Sequence, residues 1–132
     1  MLFTFEVDTH ERTTFVNIDS YALEALEKSG VRSGIMTIFT PHTTAGITIN
    51  ENADPDVVQD LVYGMDLTFD NKPAYQHFEG NSDSHMKSSL TGASETLIIE
   101  KGEVIFGTWQ SLYFAEFDGP RTRRVHIKVI GD

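Results

Sequence analysis

Two polar segments of the sequence carry side chains that could do chemistry. Pro41–Ala45 separates two apolar strands, and Gly80–Leu90 lies between an aromatic-rich stretch and another apolar strand. The candidate catalytic and ligand-binding side chains in these segments are His42, Asn81, Ser82, Ser84 and His85. A rigid scaffold holds its connecting loops in one geometry, so such segments are where folds place imidazole, hydroxyl and amide groups for binding and catalysis.

Three histidines could together form a metal site. His42, His77 and His85 each lie at a junction flanked by small or aromatic residues. Neutral imidazoles bind zinc or a similar ion and leave a coordination position open for water or substrate. No H-x-H or H-E-x-x-H pair is present, so the tertiary fold would have to assemble the site. The spacing equally allows the same histidines to bind loop carbonyls, or to act as acid–base groups without metal.

Two glutamates interrupt apolar strand patterns. Glu51 shares a strand face with Ile47 and Ile49 if the strand runs one residue past Asn50. Burial of a carboxylate is costly unless it is paired, so a carboxylate on an apolar face is commonly paired or functional. Two other interpretations stay open: Glu51 helps to cap the next helix, and Glu116 lies on an exposed sheet face.

The start of the second polar segment is suited to binding an anion. Gly80–Ser84 enters a predicted helix, whose first backbone N–H groups lack intrahelical acceptors and attract phosphate. Asn81 or Ser82 could bind a ligand oxygen, although the charge of Asp83 argues mildly against an anion. An ordinary helix cap needs only one polar residue, and four follow Gly80, so we favour a functional role.

Arginine and tryptophan residues near the C-terminus are further candidates. Arg121, Arg123 and Arg124 are three of the five arginines, and in an acidic chain they predict either an anion site or ion pairs, such as Arg123 with Glu116. Trp109 is the only tryptophan and lies between two predicted strands. It could stack on a flat ring, although a core or subunit-interface position is commoner for tryptophan.

The composition excludes several classes of protein. The net charge is −10, whereas a protein that binds nucleic acid normally has a basic surface patch, so this class is not expected. The absence of cysteine excludes disulfides, thiolate zinc and a thiol nucleophile. No apolar run reaches the roughly 18 residues of a membrane span, and the N-terminal stretch does not resemble a signal peptide. We therefore expect a cytoplasmic protein that binds neither nucleic acid nor membrane.

Hydrophobic periodicity predicts mostly strands. The predicted strands are Leu2–Asp8, Thr14–Ile18, Gly34–Thr40, Gly46–Asn50, Glu95–Glu100, Glu103–Gly107, Gln110–Phe117 and Thr122–Ile130. Gly34–Thr40 is apolar on both faces, as expected of an inner strand, and Lys101-Gly102 predicts a two-residue hairpin turn.

Three helices are predicted between these strands. The first is capped by Asp19 or Ser20 and ends at Gly30, and the second begins at Asp54-Pro55. The third covers Ser82–Thr91, with Met86 and Leu90 on one side. The sequence therefore predicts one domain over residues 1–132, of the α+β class, with curled, mostly antiparallel sheets in a two-layer or barrel-like arrangement and two or three helices.

Several linked motifs carry a resemblance to a known family. They are His42-Thr43-Thr44-Ala45, Ile49–Val57, Tyr75-Gln76-His77, Gly80–His85, Gly107–Gln110 and Glu116–Arg121. In these motifs, and over nearly its whole length, the chain resembles the YjbQ-like family, called secondary thiamine-phosphate synthase enzymes. The lead-in Lys72-Pro73-Ala74 and Glu79 departs from relatives in length, so substrate selection could differ there.

The resemblance implies a compact α+β fold with curled antiparallel sheets and a homotrimer. It also implies a site that uses His42, His77 and His85 as metal ligands for a divalent ion, zinc or magnesium, with Glu51 and Asn81 nearby. The implied function is a small-molecule enzyme with weak thiamine-phosphate synthase activity, a transferase that joins a pyrimidine diphosphate to a thiazole phosphate.

For that transfer, Arg121, Arg123 and the helix start at Asn81–Ser84 would hold the leaving diphosphate. Trp109 or Tyr75 would stabilise the cation-like pyrimidine. Because magnesium prefers oxygen ligands, histidine ligation suits zinc-promoted hydrolysis or metal storage better. Two alternatives are therefore a metal-assisted hydrolase with Glu51 as base, and a non-catalytic trimeric protein that binds metal or ligand.

Overall fold

Strands and helices alternate along the chain in the computed structural model, which describes residues 1–132. The strands are β1 (Leu2–Asp8), β2 (Thr14–Asn17), β3 (Gly34–Phe39), β4 (Ala45–Glu51), β5 (Ser94–Glu100), β6 (Glu103–Val104), β7 (Gln110–Glu116) and β8 (Thr122–Gly131). The helices are α1 (Asp19–Ser29), α2 (Pro55–Thr68) and α3 (Ser82–Thr91). None of the three is long and apolar enough to cross a membrane.

The strands form two antiparallel sheets. The larger has the order β1-β8-β3-β5-β6, and the smaller has the order β2-β7-β4. The predicted α+β class with antiparallel sheets and three helices is therefore confirmed. The predicted hairpin between β5 and β6 is also present, because Lys101 and Gly102 both adopt positive φ, as a type I′ turn requires.

Both sheets and α1 contribute to one hydrophobic core. On β8, Val125, Ile127 and Val129 are at most 2% exposed, while Arg124 and Lys128, at the alternate positions, face outward. This strict alternation is what a strand with one covered face produces. The core residues are Val7, Ile18, Ala22, Ala25, Leu26, Met36, Ile38, Ala45, Ile47, Leu97, Ile99, Leu112, Phe114, Val125, Ile127 and Val129.

The outer face of the larger sheet corrects one expectation. The prediction of β3 as an inner strand is confirmed, since it lies between β8 and β5, but its second apolar face is not covered, because Ile35 is 41% exposed and Phe39 is 44% exposed. Within the chain the sheet is covered on one face only. Ile35 pairs in register with Ile98 of β5 and Ile130 of β8, so three isoleucines form an exposed row across the sheet.

Helix α1 also departs from expectation at its start. Its N-cap residue is Ile18, whereas Asp19 or Ser20 was expected. The Asp19 carboxylate instead accepts a hydrogen bond from the Leu112 N–H at 2.7 Å, which ties the helix to β7. The end of the helix is as predicted, with Gly30 in the left-handed conformation.

Helix α2 begins as the sequence predicts. Asp54 caps it by accepting a hydrogen bond from the Asp56 N–H at 2.9 Å, and Pro55 occupies its first turn. None of its residues is buried, and Tyr63 and Leu67 are 69% and 67% exposed. The apolar residues of α2 are therefore only partly covered within one chain.

Helix α3 has the predicted bounds, and the side that carries Met86 and Leu90 faces outward. Asp83, Ser84 and Lys87 are at most 3% exposed, whereas Met86 and Leu90 are 36% and 67% exposed. The buried charges are paired. Arg12 donates two hydrogen bonds to Asp83 at 2.9 and 3.2 Å, and Lys87 Nζ lies 2.5 Å from Asp66 Oδ1. We call Arg12, Asp66, Asp83 and Lys87 the α3 network.

Candidate functional site

A polar cleft of about 410 Å³ forms where three connecting segments meet. The segments are the β3–β4 loop, the start of α3 with the residues just before it, and the β7–β8 bend. The cleft has no hydrophobic residue in its lining, which consists of Pro41, His42, Thr43, Thr44, His77, Glu79, Asn81, His85, Asp118, Arg121 and Arg123. The three histidines that the sequence singled out therefore reach one cleft from distant parts of the chain.

His42 is held at the end of two inner strands of the larger sheet, β3 and β8. Strand β3 ends at Phe39, opposite His126, while β8 starts at Thr122. Beyond that end, the imidazole of His42 substitutes for a strand acceptor, because its Nε2 accepts a hydrogen bond from the Arg124 N–H at 2.9 Å. A neutral imidazole that accepts at Nε2 carries its proton on Nδ1. His42 therefore acts as a donor at Nδ1.

The surroundings of His42 favour this neutral form. Burial and the positive charges of Arg123 and Arg124 lower the pKa of His42 below its usual value of 6.5. Burial disfavours a charged imidazole, and nearby guanidinium groups repel it. The nearby Glu116 charge opposes this change only in part.

His77 and His85 form a pair on the opposite side of the lining. Their ring centroids lie 5.5 Å apart with an interplanar angle of 81°, an edge-to-face arrangement. His77 Nε2 is 3.9 Å from a carboxylate oxygen of Glu79. His85 lies in the first turns of α3, and His77 lies in the segment that precedes it. The two rings are in contact, so a ligand lies beside the pair, where either imidazole can donate a proton to it or accept one from it.

Asn81 offers an unused acceptor. It occupies the N-cap position of α3 but makes no side-chain capping bond, and its Nδ2 instead donates to Asp118 Oδ2 at 2.9 Å. Its Oδ1 is buried and has no hydrogen-bond partner. A buried polar atom without a partner costs free energy unless a ligand or water satisfies it. Asn81 is thus suited to accept a hydrogen bond from a ligand.

The arginines of the bend are partly neutralised. Arg121 donates to the Asp118 carboxylate at 3.1 Å and to its carbonyl at 2.9 Å, with 49% of its side chain exposed. Asp118 therefore holds both Asn81 and Arg121 in place along the cleft. The ion-pair interpretation of this cluster is confirmed for Arg121 and Arg123.

The Glu116–Arg123 pair lies beneath the cleft. Arg123 Nε donates to both oxygens of Glu116, at 2.9 and 3.1 Å, and its Nη2 donates to Thr44 Oγ1 at 2.8 Å. Thr9 Oγ1 donates to Glu116 at 2.7 Å, and the Asp118 N–H donates at 3.0 Å. Arg123 Nη1 makes no hydrogen bond within the chain, and Arg123 contributes to the cleft lining.

The pair corrects the interpretation of Glu116 as exposed, since it is 0% exposed. The predicted partner, Arg123, is the one observed. Burial acts to raise the pKa of Glu116, but the hydrogen bonds from Arg123 and Thr9 outweigh it, so the pKa lies below its usual value. The carboxylate is therefore ionised at neutral pH and anchors Arg123.

The three histidines do not fit a common metal ion in this arrangement. No group of three histidine, aspartate or glutamate side chains surrounds one point. His42 also has its acceptor nitrogen occupied by Arg124, and the proton on Nδ1 blocks ligation there. A zinc ion requires free imidazole lone pairs that converge on it.

Four of the candidate site residues do not line the cleft, namely Glu51, Ser82, Ser84 and Trp109. Glu51 and Trp109 are at the far end of β4 and β7, where Glu51 pairs with Gln110. With a strand rise of about 3.3 Å per residue, Glu51 is on the order of 20 Å from Ala45 at the cleft end of β4. Trp109 is 62% exposed, and Ser84 is buried and donates to the Phe117 carbonyl.

Sequence reasoning also missed two contributors to the cleft. Asp118 and Glu79 received no role, although Asp118 precedes Arg121 by three residues in a bend, a spacing that allows an ion pair. Glu79 follows His77 by two residues, next to a candidate ligand-binding histidine. A carboxylate close in sequence to a candidate cationic residue was the available signal.

A second, apolar pocket of about 620 Å³ adjoins the polar cleft. Its lining consists of Phe69, His77, Ser82, His85, Met86, Ser89 and Leu90. Ser82, expected to bind phosphate, thus lies on this side of α3. His77 and His85 line both cavities, so the two cavities share a wall.

Fold and cleft together define an α+β protein with a histidine- and arginine-lined polar cleft at one end of its sheets. The family model described as "UPF0047 protein YjbQ-like" matches residues 3–132. The chain therefore belongs to the YjbQ-like UPF0047 family.

Individual relatives agree with this assignment. The UPF0047 protein MJ1081 of Methanocaldococcus jannaschii is 49% identical over 132 residues, covering 100% of this chain and 96% of the relative. YugU of Bacillus subtilis is 48% identical over 132 residues, covering 99% and 100%.

Solved structures agree as well. The crystal structure of an uncharacterized YjbQ/UPF0047 protein from Clostridium acetobutylicum has a TM-score of 0.95 and 48% identity, covering 97% of this chain and 99% of that one. A YbjQ-like protein of unknown function from Sulfolobus solfataricus has a TM-score of 0.94 and 27% identity, covering 100% and 97%. These relatives give the family and the fold but name no reaction.

Proposed function

We propose that the polar cleft is the active site of a small-molecule enzyme whose substrate carries a phosphate or diphosphate. One observation carries the proposal: a cleft without any hydrophobic lining residue holds three histidines and two arginines, together with an amide that has an unused acceptor. Convergent polar groups of this kind are typical of sites that orient and react with a bound ligand.

The substrate anion binds between the arginines and the start of α3. Arg121 is half exposed, and Arg123 has a free Nη1, so both can donate to phosphate oxygens. The first N–H groups of a helix add donors without intrahelical partners. Asp83 does not oppose the anion, because its carboxylate is 4% exposed and bonded to Arg12.

The three histidines take different roles. His42 donates from Nδ1 to an oxygen of the ligand, since its Nε2 is committed to Arg124. His77 and His85 exchange protons with the substrate, because imidazole is the side chain best suited to acid–base work near neutral pH. Asn81 Oδ1 accepts a hydrogen bond from a substrate N–H or O–H.

As the reaction we propose the transfer that the family resemblance implies. Diphosphate leaves a benzylic-type carbon of the pyrimidine, and the thiazole nitrogen attacks the same carbon to give thiamine phosphate. The cleft supports this step through donors placed for the leaving diphosphate, namely the arginines and His42. Trp109 takes no part within one chain, because it lies at the other end of β7.

An assay of thiamine-phosphate formation from the two phosphorylated precursors tests this proposal. We expect His85→Ala to reduce kcat/KM by about 10²-fold or more, the usual contribution of a general acid–base. His126→Ala is the matched control, because His126 lies on the outer face of the sheet against Thr4 and should leave the rate unchanged. Absence of turnover by the wild-type protein, or equal rates for His85→Ala and wild type, would refute the transfer.

Asn81 gives an independent test with a different readout. Asn81→Ala removes the unused acceptor together with one hydrogen bond to Asp118, so its net effect on stability should be within about 1 kcal/mol. We expect KM or kcat to worsen about tenfold, in proportion to one lost hydrogen bond to substrate. Unfolding by urea and steady-state kinetics measure the two effects. A loss of stability without any kinetic change would assign Asn81 a structural role only.

The divalent metal stays a prediction. Elemental analysis of the purified protein, with the His42→Ala, His77→Ala and His85→Ala variants, tests it directly. If metal content is unchanged in all three variants, the histidine ligand set is wrong. The hydrolase alternative with Glu51 as base has no support in the geometry, because Glu51 lies outside the cleft.

We also propose that the chain forms the homotrimer that the resemblance implies. The exposed isoleucine row on the larger sheet and the partly used apolar side of α2 support association, since apolar surface of this kind is commonly an interface. Sedimentation equilibrium should give three times the mass of one chain. A monomer at all concentrations would reject the proposal.

A further inference from the structure

Helix α3 turns its apolar side away from the core. Its buried side consists of Asp83, Ser84 and Lys87, and the α3 network compensates those charges. Met86 and Leu90 consequently face outward, where Leu90 is 67% exposed. Single exposed apolar residues are ordinary on protein surfaces. These two, however, line a concave pocket together with Phe69, which closes the end of α2.

The apolar pocket adjoins the polar cleft. His77 and His85 belong to both linings, and the remaining residues of the two linings differ in kind. Apart from Pro41, the polar cleft is lined by charged and polar residues, whereas the apolar pocket is lined by Phe69, Met86, Leu90 and two serines. Volumes of about 410 and 620 Å³ each fall within the range of small-molecule sites.

We propose that the two cavities are the two halves of one ligand site. The ligand is a phosphorylated molecule with an apolar, ring-sized group: its phosphate occupies the polar cleft, and its apolar group packs on Met86 and Leu90 of α3. The phosphate half rests on the proposed function. The apolar half is carried by the outward orientation of Met86 and Leu90 on α3 and by the shared wall.

The arrangement fixes where the two parts of the ligand join. His77 and His85 form the shared wall, so the bond between the phosphate-bearing and apolar parts lies beside their imidazoles. The polar cleft binds any phosphate monoester of suitable size, whereas the apolar pocket discriminates between esters. Selection by an apolar pocket depends on how much surface the ligand buries there.

Calorimetric titration with two phosphate monoesters tests the proposal on the full chain. Methyl phosphate and 1-naphthyl phosphate carry the same charged group and differ in the apolar part. We expect the naphthyl ester to bind about tenfold tighter or more, as burial of a ring in an apolar pocket predicts.

Two variants separate the halves of the site. Leu90→Ser should remove about threefold or more of the naphthyl preference and leave methyl phosphate binding unchanged, because it alters apolar surface only. Arg121→Gln should weaken both esters by the same factor. Leu23→Ser is the matched control, since Leu23 is also more than half exposed but lies on α1, outside both the apolar pocket and the proposed subunit interface. It should change neither affinity.

The outcomes distinguish this proposal from the one on which it rests. If neither ester binds, the phosphate site fails and the two-part ligand fails with it. If both esters bind equally well, or if Leu90→Ser and Leu23→Ser behave alike, the apolar half is wrong while the phosphate half stands. If Leu90→Ser instead alters the mass in sedimentation and leaves the naphthyl preference intact, the pocket is a subunit contact and the proposal is overturned.

Discussion

The two charged networks beside the cleft differ in how completely they are buried. In the Glu116–Arg123 pair, both side chains are at most 3% exposed. In the α3 network, Asp83 and Lys87 are buried, but Arg12 and Asp66 are 49% and 48% exposed. The Glu116–Arg123 pair lies wholly inside the protein beneath the cleft. The α3 network pairs the buried charges of α3 with partners that are half exposed to solvent.

This difference explains why the two networks contribute differently to the site. A fully buried pair has no water to replace a lost partner, so it fixes Arg123 and the adjoining Thr44 in one geometry. The α3 network decides which side of a helix faces inward. By burying Asp83 and Lys87, it leaves Met86 and Leu90 for the apolar pocket. One network positions the polar half of the site, and the other exposes its apolar half.

The largest expected effect follows from breaking the Glu116–Arg123 pair. Arg123→Met leaves the buried Glu116 carboxylate without its charged partner, although Thr9 and the Asp118 N–H still donate to it, and should lower the free energy of unfolding by about 3–5 kcal/mol. Urea denaturation measures the loss. The double variant Glu116→Met/Arg123→Met should be less destabilised than Arg123→Met alone, because no unpaired charge remains. If the double variant is worse than the single, the pair is not the source of the stability.

A smaller effect is expected in the α3 network. Asp83→Asn weakens two hydrogen bonds from Arg12, but Arg12 can turn to solvent, so the loss should be about 1–3 kcal/mol. Glu24→Gln is the control, because the Glu24–Lys28 pair on α1 is exposed and such pairs are worth about 0.5 kcal/mol or less. Equal losses for the two variants would show that the α3 network behaves like an ordinary surface pair.

The smallest expected effect is a loss of folding stability as the pH falls, at pH values above those at which carboxylates titrate. The pKa of His42 lies below 6.5 in the folded protein, so the unfolded chain binds more protons as the pH falls through that value. Stability contributed by neutral His42 is therefore present above about pH 6.5 and is lost as the pH falls through the folded pKa. His42→Gln, which can still accept from the Arg124 N–H, should reduce this loss.

Thermal unfolding between pH 7.5 and 5.5 measures that change, with His10→Gln as a control in an exposed turn. A pH dependence of His42→Gln that matches the wild type would assign the acid sensitivity to another group. The Glu116 carboxylate contributes at lower pH, because its depressed pKa makes its stability fade only as the pH falls below about 4.5.

Much of the fold could be predicted because its signals are local. The alternation in Leu2–Asp8 and the glycine after α1 each act within a few residues, and the structure reproduces both. The turn at Lys101-Gly102 and the cap at Asp54 belong to the same class. The prediction that Asp19 caps α1 was wrong because its carboxylate makes a long-range contact instead: it accepts a hydrogen bond from the N–H of Leu112, 93 residues away.

The same distinction between local and long-range contacts applies to the candidate site. The sequence alone determined which polar segments could do chemistry. The fold brings His42, Asn81 and His85 from those segments to one cleft, together with His77 from the aromatic-rich stretch before the second segment. Strand phase predicted only that Glu51 shares a face with Ile47 and Ile49, and the family resemblance implied that it lies near the histidines. Only the tertiary structure showed that Glu51 lies at the opposite end of β4.

The tertiary structure also decided the orientation of α3. A helical pattern with Met86 and Leu90 on one side ordinarily turns that side inward, because apolar burial is favourable. Here Arg12, 71 residues before Asp83, pairs with the opposite side, as does Asp66 with Lys87. Periodicity shows that a helix has two different sides, but the partners that each side meets come from distant segments, and those partners determine which side is buried.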